Sequence, residues 1–249
     1  MKIEIFLPIK NEGLILNSNL KKLLDYLFLE FKDYDWQVVG VVNDSADNSL
    51  QIVQDYEKRQ PTKVKALSIS QPGKGRALKT AWRASQADIL VFMDADLAVG
   101  LEATKHLILP IINQEADLVV GSRFLQDSLA QRSKRRGLLS RGYVIFSNFI
   151  LNHQQTDIQC GFKAIKKDTF QQIEKYLQDD YWFFDTELVV LARLANLRIK
   201  TIPVKWRENR TDRQKSNVKI FQDTFKFIKN VICLKIRLKK IKKYLSKDL

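Results

Sequence analysis

Ile89-Leu90-Val91-Phe92-Met93-Asp94-Ala95-Asp96-Leu97-Ala98-Val99-Gly100 is the stretch from which the fold can be read. Five apolar residues run straight into two aspartates one residue apart. A run of this length with polar bounds suits a buried strand, and in an open α/β sheet ligands bind at the carboxyl ends of the strands. Two carboxylates at such an end form a hard, oxygen-rich site suited to Mg²⁺ or Mn²⁺ carrying a diphosphate. The competing reading is that one aspartate caps the next helix and the other merely meets solvent.

Around this strand the pattern alternates. Residues 2–7, 36–42 and 64–68 read as strands, and 16–31 and 50–59 as helices between them. After the turn Gln71-Pro72-Gly73-Lys74-Gly75 a helix runs to Ser85 and leads into the strand ending at Asp94. Further on, 117–121 and 199–204 suit strands, and 138–151 and 185–195 helices. Such alternation predicts an α/β fold with a mostly parallel central sheet and helices on both faces. No internal repeat or low-complexity linker interrupts it. The simplest division is one catalytic domain over residues 1–216 and a basic, amphipathic helical tail over 217–249.

Polar residues follow the other early strands: Pro8-Ile9-Lys10-Asn11-Glu12 after the first and Asn43-Asp44-Ser45-Ala46-Asp47 after the second. Each is also an ordinary turn composition. Three acidic turns at the ends of the first, second and fourth strands nevertheless converge on one crevice, which is what a nucleotide site requires. Gly73 and Gly75 would let backbone approach a phosphate, but no Walker pattern is present and the loop reads as structural.

The chain has 249 residues, 45% of them hydrophobic, enough for a core without staples. Cys160 and Cys233 are far apart, with only His106 and His153 as companions, so neither a zinc site nor a disulfide framework is indicated. A reducing, cytosolic setting is the default. The first residues are too soon interrupted by Glu4 and Pro8 for a secretory signal, and no apolar run is long enough to span a bilayer. The net charge of +14 calls for a polyanionic partner. It concentrates over residues 123–141 and in the tail. There Phe221, Phe225, Ile228 and Ile232, then Leu234, Leu238, Ile241 and Leu245, fall at helical spacing with lysines between. The first row is expected to dock on the domain. The second is expected to lie in an anionic membrane interface. The tail has no recognisable nucleic-acid motif and no interleaved base-stacking aromatics, so nucleic acid is not the expected partner.

Leu7-Pro8-Ile9-Lys10-Asn11-Glu12, Val41-Val42-Asn43-Asp44-Ser45, Gly73-Lys74-Gly75-Arg76-Ala77-Leu78, Met93-Asp94-Ala95-Asp96-Leu97 and Val119-Val120-Gly121-Ser122-Arg123-Phe124 follow in that order. With Ser133 to Gly142, Thr156-Asp157-Ile158-Gln159-Cys160-Gly161-Phe162-Lys163 and Phe184-Asp185-Thr186-Glu187, this succession resembles the family 2 glycosyltransferases of the nucleotide-diphospho-sugar (GT-A) fold. Within them it is similar to the dolichyl-phosphate mannosyl- and glucosyltransferases. The likeness covers nearly all of residues 3–216.

The resemblance implies an inverting, metal-dependent transfer of a hexose from a nucleotide-diphosphate sugar to a polyprenyl phosphate. It makes Asp94 and Asp96 the ligands of Mg²⁺ or Mn²⁺, Asp96 the more direct. Pro8, Lys10, Glu12 and Asp44 would line the nucleotide pocket with Asp94. Arg123, Arg136 and Ser140 match the residues that grip the acceptor phosphate, and Arg210 or Arg213 would bind donor phosphate. Asp157, Asp185 and Glu187 either close the acceptor side of the pocket or cap helices and pair with Lys163 or Arg193. Asn43 stands where relatives commonly have an aspartate. The absence of Gln after Asp96-Leu97, together with Gln159-Cys160-Gly161-Phe162-Lys163, favours UDP-glucose as donor before GDP-mannose. The expected location is the inner face of the membrane, attached peripherally or through a membrane-protein partner. Transfer to a soluble or glycan acceptor is the rival enzymatic reading, and a basic membrane- or nucleic-acid-binding module the non-enzymatic one.

Overall fold

A computed structural model describes residues 1–131, 134–207 and 220–245. The opening half alternates strictly: β1 (Lys2–Ile9), α1 (Gly13–Glu30), β2 (Asp35–Asn43), α2 (Ser49–Arg59), β3 (Val64–Ile69), α3 (Lys74–Ala84) and β4 (Ile89–Met93). There follow α4 (Ala103–Ile112), β5 (Leu118–Ser122), β6 (Leu129–Gln131), α5 (Lys134–Leu151), β7 (Phe162–Lys166) and α6 (Lys167–Ile173). The chain continues through α7 (Phe184–Leu194), β8 (Ile199–Pro203), β9 (Lys205–Arg207) and α8 (Ile220–Leu245).

Among the described residues one seven-stranded sheet has the order β3-β2-β1-β4-β7-β5-β8, with β6 and β9 as a separate parallel pair. The strands β3, β2, β1 and β4 run parallel, in the registers Ile9↔Val42, Asn43↔Ile69 and Phe6↔Phe92. Since β1 to β3 step one way and β4 lies on the other side of β1, the order reverses between β1 and β4. That reversal opens a crevice at the carboxyl ends, and Asp94 follows directly on β4.

Alternate residues of each strand feed two layers. Ile3, Ile5, Leu7 and Val38 pack under Leu16, Leu20, Leu23 and Leu27 of α1 and Leu107 of α4. On the other face Phe6, Val39, Leu90 and Phe92 meet Leu78 and Trp82 of α3, Phe170 of α6 and Leu188 of α7. The mostly parallel sheet with helices on both faces is therefore as the sequence predicts.

Besides the short β6, α6 and β9, two elements of the main layers are absent from that reading. β7 inserts antiparallel between β4 and β5, placing Lys163 opposite both Phe92 and Val120. Its run is only five residues long and broken by a lysine, so periodicity does not mark it. Helix α4 is apolar on most sides, with Ala103, Leu107, Ile108, Pro110 and Ile111 all buried, so it lacks the polar stripe that identifies a surface helix.

The tail also differs from expectation. Val231, Leu234 and Ile241 are buried, and Val231 and Leu234 pack in one cluster with Leu151 of α5 and Val190 of α7. Arg237 Nη1 donates to Glu187 Oε1 at 2.6 Å and Nη2 to the Tyr176 carbonyl at 2.6 Å. Leu234, Leu238 and Ile241, expected to face a membrane, face the domain instead, because they complete a core that α5 and α7 leave open, whereas Ile228 and Ile232, expected to dock on the domain, are exposed; the side chains of Phe221, Phe225 and Leu245 lie outside the described part. Among the described residues no helix is long and apolar enough to cross a membrane.

Candidate active site

The three acidic turns lie side by side at the carboxyl edge of β2, β1 and β4. The first two are sewn together by short hydrogen bonds. Asn11 N–H donates to Ser45 Oγ at 3.1 Å, Ala46 N–H to Asn11 Oδ1 at 2.8 Å and Glu12 N–H to Ser49 Oγ at 3.1 Å. Asp47 accepts from the Gly13 and Ser49 amides at 2.8 and 3.1 Å, satisfying the open first turns of α1 and α2. Burial raises the Asp47 carboxyl, but these hydrogen bonds outweigh it and hold the group below its ordinary value. Pro8 lies at the end of β1 opposite Val41. Glu12 is buried at the start of α1. Asp44, in the left-handed region at φ 49°, holds Lys10 Nζ at 2.7 Å on the open side of the crevice. Asn43 is buried with one amide function on each side: its nitrogen donates to the Ile9 carbonyl at 2.8 Å and its oxygen accepts from Gly73 N–H at 3.0 Å.

The glycine turn is structural in its backbone. Gly75 and Arg76 N–H groups donate to the carbonyls of Tyr181 and Asp180, at 3.2 and 3.0 Å. With Gly73 N–H on Asn43, the amides that might have cradled a phosphate are used within the protein. A Cβ on Gly73, whose φ is 134°, would lie 2.2 Å from the Asp180 carbonyl oxygen. The side chain of Lys74 takes another course. Its ammonium is buried, 3.0 Å from Asp94 Oδ1 and 3.2 Å from Asp185 Oδ2, beneath the rings of Phe92 and Trp182. Burial alone would lower its pKa, yet the charges of Asp185 and Asp94 prevail and raise it, so Lys74 stays a cation.

Asp185 in turn accepts from Lys163, whose fully buried Nζ lies 2.5 Å away and also donates to the Cys160 carbonyl at 2.6 Å. The result is an alternating chain, Lys163, Asp185, Lys74, Asp94, that ends at the crevice. Sequence reading missed Lys74 as a site residue; its signal was a lysine fixed between two glycines. Gly161 is the other omission. Its carbonyl accepts from Asp94 N–H at 3.1 Å, and a Cβ there would fall 2.0 Å from Asp94 Oδ2.

Asp96 lies one turn beyond, its Oδ1 accepting from Ala98 N–H at 3.1 Å. Among the described residues no three His, Cys, Asp or Glu side chains are grouped to hold a metal. Asp94 and Asp96 are two hard carboxylates, which fits Mg²⁺ or Mn²⁺ where diphosphate oxygens and water supply the remaining positions. A small crevice beside Asp94 is lined by Leu97, Val99, Gly161 and Trp206.

Arg123 is brought to the same edge, but Asp157 holds its fork: Nε to Oδ2 at 2.7 Å, Nη2 to Oδ1 at 3.0 Å, with the Arg123 amide also on Oδ2 at 3.1 Å. Asp157 is fully buried. Burial would raise it, and the charge of Arg123 instead brings it below the ordinary carboxylate range. Ion pairing is thus the observed role of the three later acids, with partners the sequence did not name for two of them: Arg123 for Asp157 and Arg237 for Glu187. Arg193 meets Gln154. Ser140 is partly buried on α5. Arg136 begins the same helix, its side chain outside the described part, and Arg210 and Arg213 lie outside the described residues altogether. The Cys160 thiol is pushed by burial up to about 12, which keeps it protonated and unreactive.

Comparison with known proteins gives the family and the fold. The model of the family described as "Glycosyl transferase family 2" matches residues 4–174. "Glycosyltransferase AglD" of Haloferax volcanii is 30% identical over 207 residues, which cover 83% of this chain and 33% of that protein. The "Dolichyl-phosphate beta-glucosyltransferase" of Dictyostelium discoideum is 27% identical over 246 residues, 94% of this chain and 74% of the relative. The chain therefore spans a third of the length of the first and about three quarters of the second. A solved structure of glucosyl-3-phosphoglycerate synthase from Mycobacterium tuberculosis, in complex with Mn²⁺, UDP and phosphoglyceric acid, superposes with a TM-score of 0.69. It is 15% identical, covering 94% of this chain and 78% of that one, a likeness that shows the GT-A fold.

Proposed function

The chain belongs to glycosyl transferase family 2, and from that premise we propose that it moves a hexose from a nucleotide-diphosphate sugar onto a polyprenyl phosphate. The observation that carries the reading is the Asp94 and Asp96 pair at the sheet's reversal point, with the buried cation Lys74 bonded to Asp94. Its support on the acceptor side is the similarity to relatives named as dolichyl-phosphate glucosyltransferases. That similarity also favours UDP-glucose as donor over GDP-mannose.

In this reading Pro8, Lys10, Glu12 and Asp44 border the nucleotide. Asp96 would be the direct ligand of a metal, while Asp94, bonded to Lys74, would share its charge between the two. Mg²⁺ or Mn²⁺, when bound, would act as a Lewis acid on the departing diphosphate. Lys74 adds a fixed positive charge at the same edge, where negative charge grows as the bond between the anomeric carbon and diphosphate oxygen breaks. The attacking oxygen belongs to a phosphate that is already ionised at neutral pH, so alignment replaces general-base catalysis. Arg136 and Ser140, at the start of α5, are assigned to that alignment, and Arg210 or Arg213 to donor phosphate. Arg123 is assigned there through its remaining amino group, since Asp157 fixes the rest of the fork. Attack from the side opposite the leaving group gives inversion without a covalent enzyme intermediate.

The test is a transfer assay with purified protein, each metal, a panel of nucleotide sugars and either polyprenyl phosphate or unphosphorylated acceptors. Transfer to polyprenyl phosphate, abolished in Asp96→Asn, is the expected outcome. Transfer only to acceptors without a phosphate would move the assignment to the soluble-acceptor reading.

A further inference from the structure

Behind the crevice two buried lysines share one buried carboxylate. Lys163 is fully buried and Asp185 nearly so; they bond at 2.5 Å, and the Cys160 carbonyl accepts a second Lys163 proton at 2.6 Å. The Lys74 ammonium reaches the other Asp185 oxygen at 3.2 Å, and its side chain is only 7% exposed. One carboxylate does not neutralise two ammonium groups. The remaining unit of positive charge rests on Asp94, which is 3.0 Å from Lys74 and 38% exposed at the crevice. Arg123 at the same edge has its own carboxylate in Asp157.

The ammonium is held where it is. Gly73 and Gly75, on either side of Lys74, pack so closely that an added Cβ would lie 2.2 Å from the Asp180 carbonyl oxygen and 2.7 Å from that of Asp179. The ring centroids of Phe92 and Trp182 stand 4.8 and 5.4 Å from the Lys74 nitrogen. A buried cation that loses its anion is strongly disfavoured. In an ordinary interior ion pair both partners are withdrawn from ligands; here one of them is a carboxylate at the crevice.

We propose that Lys74 is a resident counter-cation that holds a bare divalent ion off Asp94. The inference rests on the donor-site reading of Asp94 and Asp96. Lys74 opposes a lone dication there in two ways, by occupying Asp94 and by like-charge repulsion at short range. A nucleotide diphosphate removes both obstacles, because its oxygens supply the anion that Lys74 would otherwise lose. The crevice is thereby set against free metal and in favour of diphosphate, so metal loads with the donor rather than ahead of it. Asp185 is a positioning residue in this scheme: it draws part of the Lys74 charge away from Asp94.

The experiment measures Mn²⁺ binding by the full chain without nucleotide or acceptor, from the paramagnetic resonance signal of free Mn²⁺, and binding of UDP or GDP without metal by calorimetry. Only the Mn²⁺ binding that Asp96→Asn abolishes is counted. Lys74→Met keeps the length of the side chain and removes its charge, while Asp185 keeps Lys163. This variant is expected to bind Mn²⁺ about tenfold more tightly than the wild type and the nucleoside diphosphate about tenfold more weakly. Mere damage to the site would weaken both. Asp185→Asn leaves Asp94 as the carboxylate on which Lys74 depends, and Mn²⁺ binding is expected to weaken by about threefold or more. Thermal unfolding without ligands confirms that the variants are folded. Unchanged or weaker Mn²⁺ binding by Lys74→Met overturns the proposal, as does tighter Mn²⁺ binding by Asp185→Asn. Tighter Mn²⁺ binding by Lys74→Met, with neither UDP nor GDP bound by the wild type, retains Lys74 as the counter-cation and removes the nucleotide-diphosphate reading.

Discussion

Asn43 shows how a departure from a family pattern acquires a physical reason at the scale of one residue. Its slot needs a donor toward the Ile9 carbonyl and an acceptor toward Gly73 N–H, and an amide has both. A carboxylate would set a charged oxygen against the Ile9 carbonyl. Asn43→Asp is expected to lower stability by about 1–3 kcal/mol near neutral pH, measured by urea unfolding. The deficit relative to the wild type should shrink in acid, where the protonated carboxyl can donate; an unchanged deficit would refute that account. Gly161 is the second such residue. Adding a methyl there displaces Asp94, a half-exposed side chain, rather than backbone. Gly161→Ala is therefore expected to cut transfer about a hundredfold while leaving the unfolding midpoint nearly unchanged. Full activity in that variant would detach Asp94 from the reaction.

At the scale of an element, the end of α5 carries a pH dependence. His153 is buried just beyond the helix, its Nδ1 accepting from Gln155 N–H at 3.1 Å and its Nε2 3.0 Å from Ser147 Oγ. Burial lowers its pKa from 6.5 to about 4, because the site accommodates the neutral ring and desolvates the charged one. The unfolded chain binds a proton in the interval between those values and the native state does not. Stability is thus fully present above pH 6.5 and lost as pH falls toward 4, by up to about 3 kcal/mol. Thermal unfolding from pH 7 to pH 4 should show the loss, and His153→Gln should flatten it. The glycine turn before α3 teaches the complementary lesson: its amides serve the loop at 180–181, and its lysine serves the crevice.

For the whole molecule, the decisive question is what α8 does. Leu234 and Val231 sit in a cluster with residues of α5 and α7, so the helix belongs to the domain's packing. Leu234→Ala is expected to destabilise the protein by about 2–5 kcal/mol, read by chemical denaturation. A helix held only by a lipid surface would show no such cost in the absence of lipid. The ion pair of Arg237 with the buried Glu187 adds direction to this docking, since Glu187 also accepts from the Gln178 and Asp179 amides at 2.8 Å each.

The sequence by itself determined the alternation of strands and helices, the parallel opening of the sheet and the convergence of three acidic turns. These follow from short-range periodicity and turn chemistry, which a linear chain displays openly. It also carried the family, because ordered motifs survive without their contacts. Only the tertiary structure decided which charges meet. Arg123 is held by Asp157, 34 residues away, and Lys163 by Asp185, 22 away. Pairing of that kind depends on where β7 is inserted and what is excluded from water, and no local pattern records either. The same holds for α8: the sequence offers two apolar rows, and only the open core between α5 and α7 selects Val231 and Leu234 for burial.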